Sequence, residues 1–280
     1  MTKHDTARDR AIGSLFAELR AAAEMSTSVA AEKAGFSNAS LNRMENGIRP
    51  TSPEAAAALL TVYAVPKLER KRILTLVSSP LSSSWWSLLA AVRLTRQPIL
   101  AIFEAQATKI SHVNLARVPG LLQTPAYIRA LMYANEGKTE ASERRVEVRL
   151  ARQEVLRKPR APKYFAMLEE GALRRMHGGA EVMAEQIQHI ADMTELPHVD
   201  VRVAPFDLER WDGSSGNYGL MEYRNAPTIL HVDTTAVTFT DAPEHVEKFQ
   251  TRLDTMRREA LSSAESVKFL RRVALEYRRR

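Results

Sequence analysis

The sequence predicts a protein of two domains, an all-α N-terminal domain over residues 1–80 and an α+β C-terminal domain over residues 81–280. Three observations support this division. Alanine and leucine recur at helical spacing over residues 8–78, a serine-rich stretch over residues 78–84 breaks that pattern, and strand-like runs follow Pro159. The chain length also suits two domains, because a domain commonly holds about 100–200 residues.

Five short helices are predicted in the N-terminal domain. The first is amphipathic, with apolar residues from Ile12 to Ala23 at intervals of three and four. Gly35 separates the second helix from the third, because glycine tolerates the left-handed backbone conformation that ends a helix. The residues that open helices two to five are serines suited to capping and prolines suited to the first turn, namely Ser26, Ser37, Ser52-Pro53 and Pro66.

The C-terminal domain mixes short strands with helices. Period-two alternation is clearest in VDVRVAP, as expected of a half-buried strand. The short strands and intervening turns predict a sheet that is antiparallel. The predicted strands cover residues 164–168, 199–204, 218–223, 228–232 and 237–240, and the predicted helices cover 85–108 (one or two helices), 141–157, 180–194, 243–261 and 263–277.

Composition excludes several classes of protein. The chain has no cysteine, which rules out disulfides, thiolate metal sites and cysteine nucleophiles and indicates the cytoplasm. The 40 Lys and Arg residues outnumber the 33 Asp and Glu residues, which favours a polyanionic partner. Residues 73–92 carry no charge, but Pro80 and six serines interrupt them, so no membrane-spanning helix is expected.

One motif in the N-terminal domain points to a specific chemistry. Thr27-x3-Ala31-x3-Gly35-x5-Leu41-x2-Met44 has the spacing of a helix-turn-helix. Ala31 is small where two helices cross, Gly35 permits the turn, and Leu41 and Met44 anchor the second helix to the core. The outward residues of that helix are short polar groups and one guanidinium suited to base edges in a major groove, namely Asn38, Ala39, Asn42 and Arg43.

Residues 11–64 resemble the lambda-repressor-like, Xre-type helix-turn-helix domain, and SLNRMENGIRPTSPE resembles its run through the recognition helix. Many relatives carry Gln where this chain has Thr27. An alternative is a five-helix interaction module whose polar face is only solvated. The resemblance implies base contacts by Asn38, Ala39, Asn42 and Arg43, and phosphate contacts by Thr27, Ser37, Ser40 and Arg49.

The C-terminal region resembles the large C-terminal domain of actinobacterial WhiJ-type regulators, also called antitoxin-like transcriptional regulators. The resemblance covers most of residues 85–275, and PGLLQT is its most specific block. It implies a small companion protein as a partner. The blocks that carry it are VPGLLQTPAYIRAL (118–131), RLARQEVL (149–156), LEEGALRR (168–175) and VDVRVAPF.

Other candidate positions in this region have two interpretations each. The turn around Pro119-Gly120 and Thr124-Pro125 is expected to serve packing. Residues 207–218 form a Gly/Ser-containing loop that either connects strands or covers a ligand or partner. For one set of polar residues the two interpretations are a polar pocket and a solvated helix face with modest ion pairs. The set is Arg149, Arg152, Gln153 and Glu169 or Glu170.

No catalytic or metal-binding pattern stands out. His177 and His231 have no further ligands at regular spacing, so both are interpreted as structural. The loop at Gly213 to Gly216 has the wrong spacing for a hydrolase nucleophile, and no HExxH or GxGxxG motif follows a strand. We therefore expect no enzyme activity, no cofactor and no metal. The terminal Arg278 to Arg280 is expected to be a solvated tail.

Together these observations predict a cytoplasmic, sequence-specific transcriptional regulator that binds double-stranded DNA. Residues 1–80 hold eleven Lys and Arg residues against eight Asp and Glu residues, a small excess that favours a homodimer on two half-sites. The C-terminal domain would then sense an effector or partner and supply dimer contacts. The alternatives are an antitoxin-like module that sequesters a small partner, with DNA binding for autoregulation, and a ligand sensor acting through the α+β domain.

Overall fold

The computed structural model describes residues 6–79, 96–209, 211, 213, 216–233 and 237–280. The chain forms two compact units. The first contains the residues through Phe103 with the short segments Asn225–Ile229 and Thr238–Asp241, and the second contains the remainder. The predicted boundary at residue 80 falls in residues 80–95, outside the described residues, and stays a prediction.

Five helices follow one another over residues 7–78, as predicted. In the first four, a side chain just before the helix accepts a hydrogen bond from the backbone N–H three residues on, and these capping residues are Thr6, Ser26, Ser37 and Ser52. The fifth follows Pro66 and has no side-chain cap. The helices are α1 (Ala7–Ala22), α2 (Thr27–Ala34), α3 (Asn38–Glu45), α4 (Pro53–Val62) and α5 (Lys67–Ser78).

The core of the helical unit forms where amphipathic helices turn their apolar faces inward. Helix α1 packs on α3, α2 packs on both α3 and α4, and α4 packs on α5. Buried residues from every layer meet there, including Phe16, Ala31, Leu41, Leu59 and Ile73. A further helix, α6 (Arg96–Gln106), lies within the predicted helical stretch 85–108, of which residues 85–95 are outside the described residues.

From Lys109 onward the chain alternates strands and helices in the order expected of an α+β domain. All five predicted strands are present within one or two residues of their predicted bounds. The elements are β1 (Lys109–Asn114), a 3-10 turn (Gly120–Leu122), α7 (Pro125–Glu136), α8 (Glu140–Gln153), a 3-10 turn (Glu154–Leu156), β2 (Lys163–Glu169), α9 (Glu170–Arg174), α10 (Ala180–Met193), β3 (Val199–Ala204), β4 (Asn217–Glu222), β5 (Ile229–Asp233), β6 (Val237–Thr240), α11 (Pro243–Glu259) and α12 (Ser263–Arg278). The described residues thus hold twelve α-helices and six strands.

The six strands form one mixed sheet in the order β3-β2-β1-β4-β5-β6. Strands β1, β2 and β3 run parallel, whereas β4 is antiparallel to β1. The six residues between β4 and β5 and the three between β5 and β6 are too few for a parallel crossover, so those pairs are antiparallel. The predicted antiparallel sheet is therefore confirmed only in part.

The parallel β1–β2 pair was missed because β1 was missed, whereas β2 and β3 are parallel although both strands and the helix between them were predicted. The sequence of β1, KISHVN, has polar residues at four of its six positions, and it does not read as an apolar run. Yet β1 is central, with β2 on one side and β4 on the other. Once β1 is present, the helices α7 and α8 become the crossover from β1 to β2, and crossovers of this length bring parallel strands together.

Each face of the sheet is covered by helices. On one face Val113, Phe165, Met167 and Leu220 join a buried cluster with residues of α11. On the other, α12 packs against β3 and against α10. The C-terminal unit therefore has a core of its own on both faces of the sheet.

Candidate nucleic-acid interface

The second and third helices meet in a tight turn whose geometry follows from its residues. Gly35 ends α2 with a left-handed backbone, at a φ of 76°. Ser37 then begins α3, and its hydroxyl accepts a hydrogen bond from the Ser40 backbone N–H at 3.1 Å. The left-handed residue and the new cap follow each other within three residues, so the chain reverses direction and the two helices can cross.

Helix α3 has a buried face and an exposed face. Leu41 and Met44 point into the core, as the motif predicts. The four residues that the sequence assigns to base contacts are all exposed, namely Asn38, Ala39, Asn42 and Arg43. Arg43 has no ion pair or hydrogen bond from its guanidinium within the described residues, so its five N–H donors are open to a partner.

An ion pair that the sequence reasoning missed holds the C-terminal end of α3 against α1. Arg20 donates from Nε and Nη2 to the two carboxylate oxygens of Glu45, at 2.7 and 2.9 Å. Its third nitrogen, Nη1, donates to the Met25 carbonyl at 2.8 Å. The hydrogen bond to Glu45 raises the pKa of Arg20. Both residues fall on the apolar stripes of their helices, and opposite charges in such positions are the sequence signal that could have revealed the pair.

Two glycines allow the close approach of α1 to the end of α3. A Cβ atom on Gly13 would lie 2.4 Å from the Met44 carbonyl oxygen and 2.6 Å from that of Glu45. A Cβ on Gly47 would lie 2.6 Å from Cα of Arg10, and Gly47 also has a φ of 73°. The sequence indicated neither close approach, because an approach between distant segments leaves no local pattern.

The structure brings together two of the residues predicted to hold phosphates. Arg49 is exposed, and its Nη1 donates to the Ser40 hydroxyl at 2.8 Å. Ser40 itself is buried. It therefore contacts Arg49 directly, and it can act on a phosphate only by positioning Arg49. The Arg49 backbone N–H also donates to the Arg43 carbonyl at 3.1 Å, which keeps Arg49 beside the end of α3.

The remaining predicted residues lie at helix starts. Thr27 is the first residue of α2 and is partly exposed, and Ser37 is exposed at the start of α3. On α3, Asn42 accepts a hydrogen bond at Oδ1 from the Asn46 side chain, which turns the Asn42 amide N–H groups outward. Helix starts present unpaired N–H groups and a partial positive charge, and both are suited to phosphate oxygens.

In the second unit, two of the candidate polar residues, both on α8, form hydrogen bonds with the PGLLQT turn. Arg149 donates to the Gln123 side chain at 3.0 Å, and Gln153 donates to the carbonyls of Gly120 and Gln123, both at 2.8 Å. From α10, Gln186 accepts from the Thr124 N–H and donates to the Leu122 carbonyl, both at 2.7 Å. The turn is thus held mainly by the buried amides of Gln153 and Gln186, in line with the packing interpretation.

Arg152 has a different partner, the buried carboxylate of Glu104, with Nε 2.7 Å from Oε2. Glu104 is 0% exposed, and burial raises its pKa to about 7 even though the charge of Arg152 opposes the shift. A Cβ on Gly120 would lie 2.4 Å from Nη2 of Arg152, so Gly120 leaves the space that the guanidinium fills. The side chain of Tyr164, whose hydroxyl is 3.1 Å from His112 Nδ1, completes the cluster.

Glu169, Glu170, His177 and His231 do not join this cluster. Glu170 pairs with Arg174 at 2.9 Å and also accepts from the Phe206 N–H at 3.0 Å, and burial raises the pKa of Glu169. His177 packs edge-to-face on Tyr127, and burial lowers its pKa. His231 is buried in β5. Within the described ranges, no three His, Asp or Glu side chains are grouped to hold a metal ion.

A groove of about 990 Å³ opens between α8 and α10 in the second unit. Its lining mixes amides, charged groups and rings, and six of its residues are Gln123, Thr124, Gln153, Gln188, His189 and Tyr277. Its size is at the upper end of the range of small-molecule sites, about 300–1,000 Å³. The terminal residues Arg278 and Arg280 line one side of it.

The fold and the exposed face of α3 define the N-terminal unit as a helix-turn-helix domain of the DNA-binding class. A family described as Helix-turn-helix domain matches residues 11–73, in agreement. The chain belongs to the family described as Domain of unknown function (DUF5753), which matches residues 97–272. No curated protein and no solved structure matched the chain. Among the helices of the described residues, none has the length and apolar character needed to cross a bilayer.

Proposed function

We propose that the protein is a sequence-specific transcriptional regulator that inserts α3 into the major groove of double-stranded DNA. One observation carries this proposal. The Arg20–Glu45 pair fixes the buried side of α3, while Asn42 and Arg43 are exposed on its other side. A rigid helix with an outward face of short polar groups and one guanidinium has the form that base reading requires.

The side chains on this face can distinguish bases. Arg43 can pair with the O6 and N7 atoms of guanine, which is the commonest specific contact of arginine with DNA. Asn42 presents amide N–H groups to acceptors on a base edge while Asn46 holds its oxygen. Asn38 and Ala39 lie at the start of the helix, the end that meets the bases in helix-turn-helix complexes.

Phosphate contacts would orient the domain without reading sequence. The start of α2 with Thr27 and the start of α3 with Ser37 supply N–H groups, and Arg49 supplies a cation held by Ser40. Because the charge excess of this domain is small, we propose that two copies bind together, as a homodimer on an inverted repeat.

The finer parts of the proposal concern the second unit. We place the protein in the cytoplasm among Xre-type regulators with a WhiJ-type C-terminal domain, and we propose that it has no catalytic activity. The groove between α8 and α10 supports a sensing role, because it has the size of a ligand site. We propose that the same unit also supplies the dimer contacts and binds a small companion protein.

The first experiment is selection of random double-stranded DNA by the purified full-length protein at near-physiological salt. Enrichment of an inverted repeat supports specific reading by a symmetric dimer, and the half-site spacing gives its geometry. Failure to enrich any sequence contradicts base reading by the protein alone. The variant Arg43→Ala then tests the assignment: it should weaken the selected site by about 1–3 kcal/mol and relax one base position, whereas Arg72→Ala, which removes a charge from α5, should change no base preference.

A further inference from the structure

The groove between α8 and α10 has a lining in which charge and burial are separated. Four parts of the second unit contribute to it, namely the PGLLQT turn, the end of α8, one face of α10 and the end of α12. The charged residues that line it are all exposed. The floor of the groove consists of the described lining residues that are buried, and all of them are uncharged, namely Gln123, Thr124, Gln153, Ala184 and Tyr277.

The exposed charges at the edges do not make the groove a site for an ion. Four carboxylates and three guanidinium groups line it, so their charges nearly cancel. Arg157 pairs with Glu154 at 3.0 Å, and the guanidinium of Arg280 lies 5.0 Å from the ring centroid of Tyr277. Burial and the charge of Arg157 lower the pKa of His189, which is therefore neutral at pH 7. A charged ligand group at the floor would lose its hydration without gaining a counter-charge.

Two residues of the floor keep hydrogen-bonding capacity that the fold does not use. Gln153, 6% exposed, donates both amide N–H groups to the carbonyls of Gly120 and Gln123, and its Oε1 accepts no hydrogen bond within the described residues. The Thr124 hydroxyl accepts from the Tyr127 N–H at 3.2 Å, and in the same part of the chain its own hydrogen meets no acceptor. The floor therefore offers one acceptor and one donor on neutral side chains.

This arrangement selects a neutral ligand. We propose that the groove between α8 and α10 binds an uncharged small molecule that carries an amide group on an apolar body. The N–H of the ligand amide donates to Oε1 of Gln153, and its carbonyl accepts from the Thr124 hydroxyl. The apolar body packs on Leu150, Ala184 and the ring of Tyr277. The inference rests on the sensing role proposed for the second unit, and it names the chemistry of what is sensed.

The test uses three ring compounds of nearly equal size that differ in charge, namely benzamide, benzoate and benzamidinium. Saturation-transfer NMR at pH 7 measures the dissociation constant of each compound from the full-length protein. We expect benzamide to bind at least about tenfold more tightly than either ion, because only benzamide reaches the floor without leaving a charge unpaired there. Benzamide binding that is absent, or no tighter than that of the ions, overturns the proposal.

Ala184→Leu places a larger side chain in the floor. It should weaken benzamide binding by about tenfold, because the added atoms occupy the space of the ligand ring. The matched control is Ala151→Leu, which enlarges an exposed alanine of α8 outside the groove and should leave benzamide binding unchanged. Circular dichroism of each variant checks that it folds. Equal effects of the two substitutions would contradict binding in this groove.

Leu150→Lys tests the dependence on charge at a partly exposed position, where the stem of a lysine can be accommodated. The variant should bind benzoate about tenfold more tightly than the wild type does, because the ammonium group supplies the counter-charge that the floor lacks. Val148→Lys adds the same charge to α8 outside the groove and should leave benzoate binding unchanged. Wild-type benzoate affinity in Leu150→Lys would refute the placement of the ligand against Leu150.

These results are separable from the proposed DNA reading, because the compounds are measured without DNA. A protein that selects an inverted repeat but does not prefer benzamide refutes this inference alone. A protein that prefers benzamide but selects no DNA sequence refutes the DNA reading alone. Preference for benzoate would assign the groove to an anion held by its arginines, and preference for benzamidinium would assign it to a cation held by its glutamates. Either result overturns a neutral ligand.

Discussion

Each unit of the protein contains a buried arginine–glutamate pair, and the two pairs differ in how the carboxylate is satisfied. In the helical unit both oxygens of Glu45 accept N–H groups of Arg20, and the glutamate side chain is 7% exposed. In the α+β unit Glu104 is fully buried, and neither of its carboxylate oxygens has a hydrogen-bond partner among the described residues, although Oε2 lies 2.7 Å from Nε of Arg152.

The difference shows that distance alone does not define a buried ion pair. The shortest nitrogen–oxygen distance is 2.7 Å in both. Desolvation is nevertheless strong enough at Glu104 to raise its pKa to about 7 against the charge of Arg152. Burial with too few hydrogen-bond donors raises the pKa of a carboxylate, so that its protonation changes near neutral pH. A carboxylate in a bidentate pair with arginine stays charged and holds its two helices together.

The largest effect is expected from Arg152→Ala, which leaves the carboxylate of Glu104 unpaired in the core. We expect a loss of about 3–5 kcal/mol in the free energy of unfolding at pH 8, measured by urea denaturation. The loss should shrink at pH 5, because a protonated Glu104 needs no counter-charge. Arg144→Ala on the same helix removes an exposed pair with Glu140 and should cost less than about 1 kcal/mol. Equal costs for the two variants would contradict the buried pair.

Glu104→Gln tests the titration itself. The folded-state pKa of about 7 lies above the ordinary value of 4.5, so the folded protein holds its proton more tightly than the unfolded chain. The stability due to this group is therefore complete below pH 4.5 and is lost as pH rises through 7. Over that window the wild type should lose about 3 kcal/mol relative to Glu104→Gln. Parallel stability curves from pH 4 to 8 would show that Glu104 does not titrate there.

Gly13→Ala tests how closely α1 and α3 approach each other beside the Arg20–Glu45 pair. The added methyl group meets two backbone carbonyls, which cannot move aside, so α1 and α3 must separate and strain the Arg20–Glu45 pair. We expect a cost of about 1–3 kcal/mol in thermal unfolding. The Cβ atom of Gly35→Ala would meet no atom within 4 Å. That variant should lose only about 1 kcal/mol of stability, because alanine disfavours the positive φ at this position. A smaller cost for Gly13→Ala than for Gly35→Ala would refute the close crossing.

The smallest effects concern DNA affinity, with the fold unchanged. Arg49→Ala should weaken all DNA sequences alike and reduce the salt slope by about one unit. Ser40→Ala removes the hydroxyl that holds Arg49 and should produce a weaker form of the same loss, below about 1 kcal/mol. Filter binding at several salt concentrations measures both. An unchanged slope in Arg49→Ala would remove it from the phosphate contacts.

Much of the local structure was predictable because it depends on short-range rules. The serine caps of α2, α3 and α4 and the turn at Gly35 follow from one or two residues each, and all were predicted. The exposed face of α3 follows from helical periodicity about Leu41 and Met44. The DNA contacts assigned to that face remain predictions.

What escaped prediction depends on distant segments. Strand β1 was missed because KISHVN does not read as a strand on its own, and only its neighbours β2 and β4 make it one. The α8 residues Arg149, Arg152 and Gln153 looked equally suited to a pocket or a solvated face. Their real partners lie in a turn about thirty residues away and in α6.

The sequence by itself indicated the five short helices of residues 7–78, the serine caps of α2, α3 and α4 and the polar face of α3, because spacing and capping act within a few residues. Tertiary structure decided which charges are buried in pairs, why Gly13 and Gly120 have no side chain, and which strands run parallel. These depend on backbone approaches between segments far apart in the chain, where the space available to one atom is set by another that no local pattern specifies.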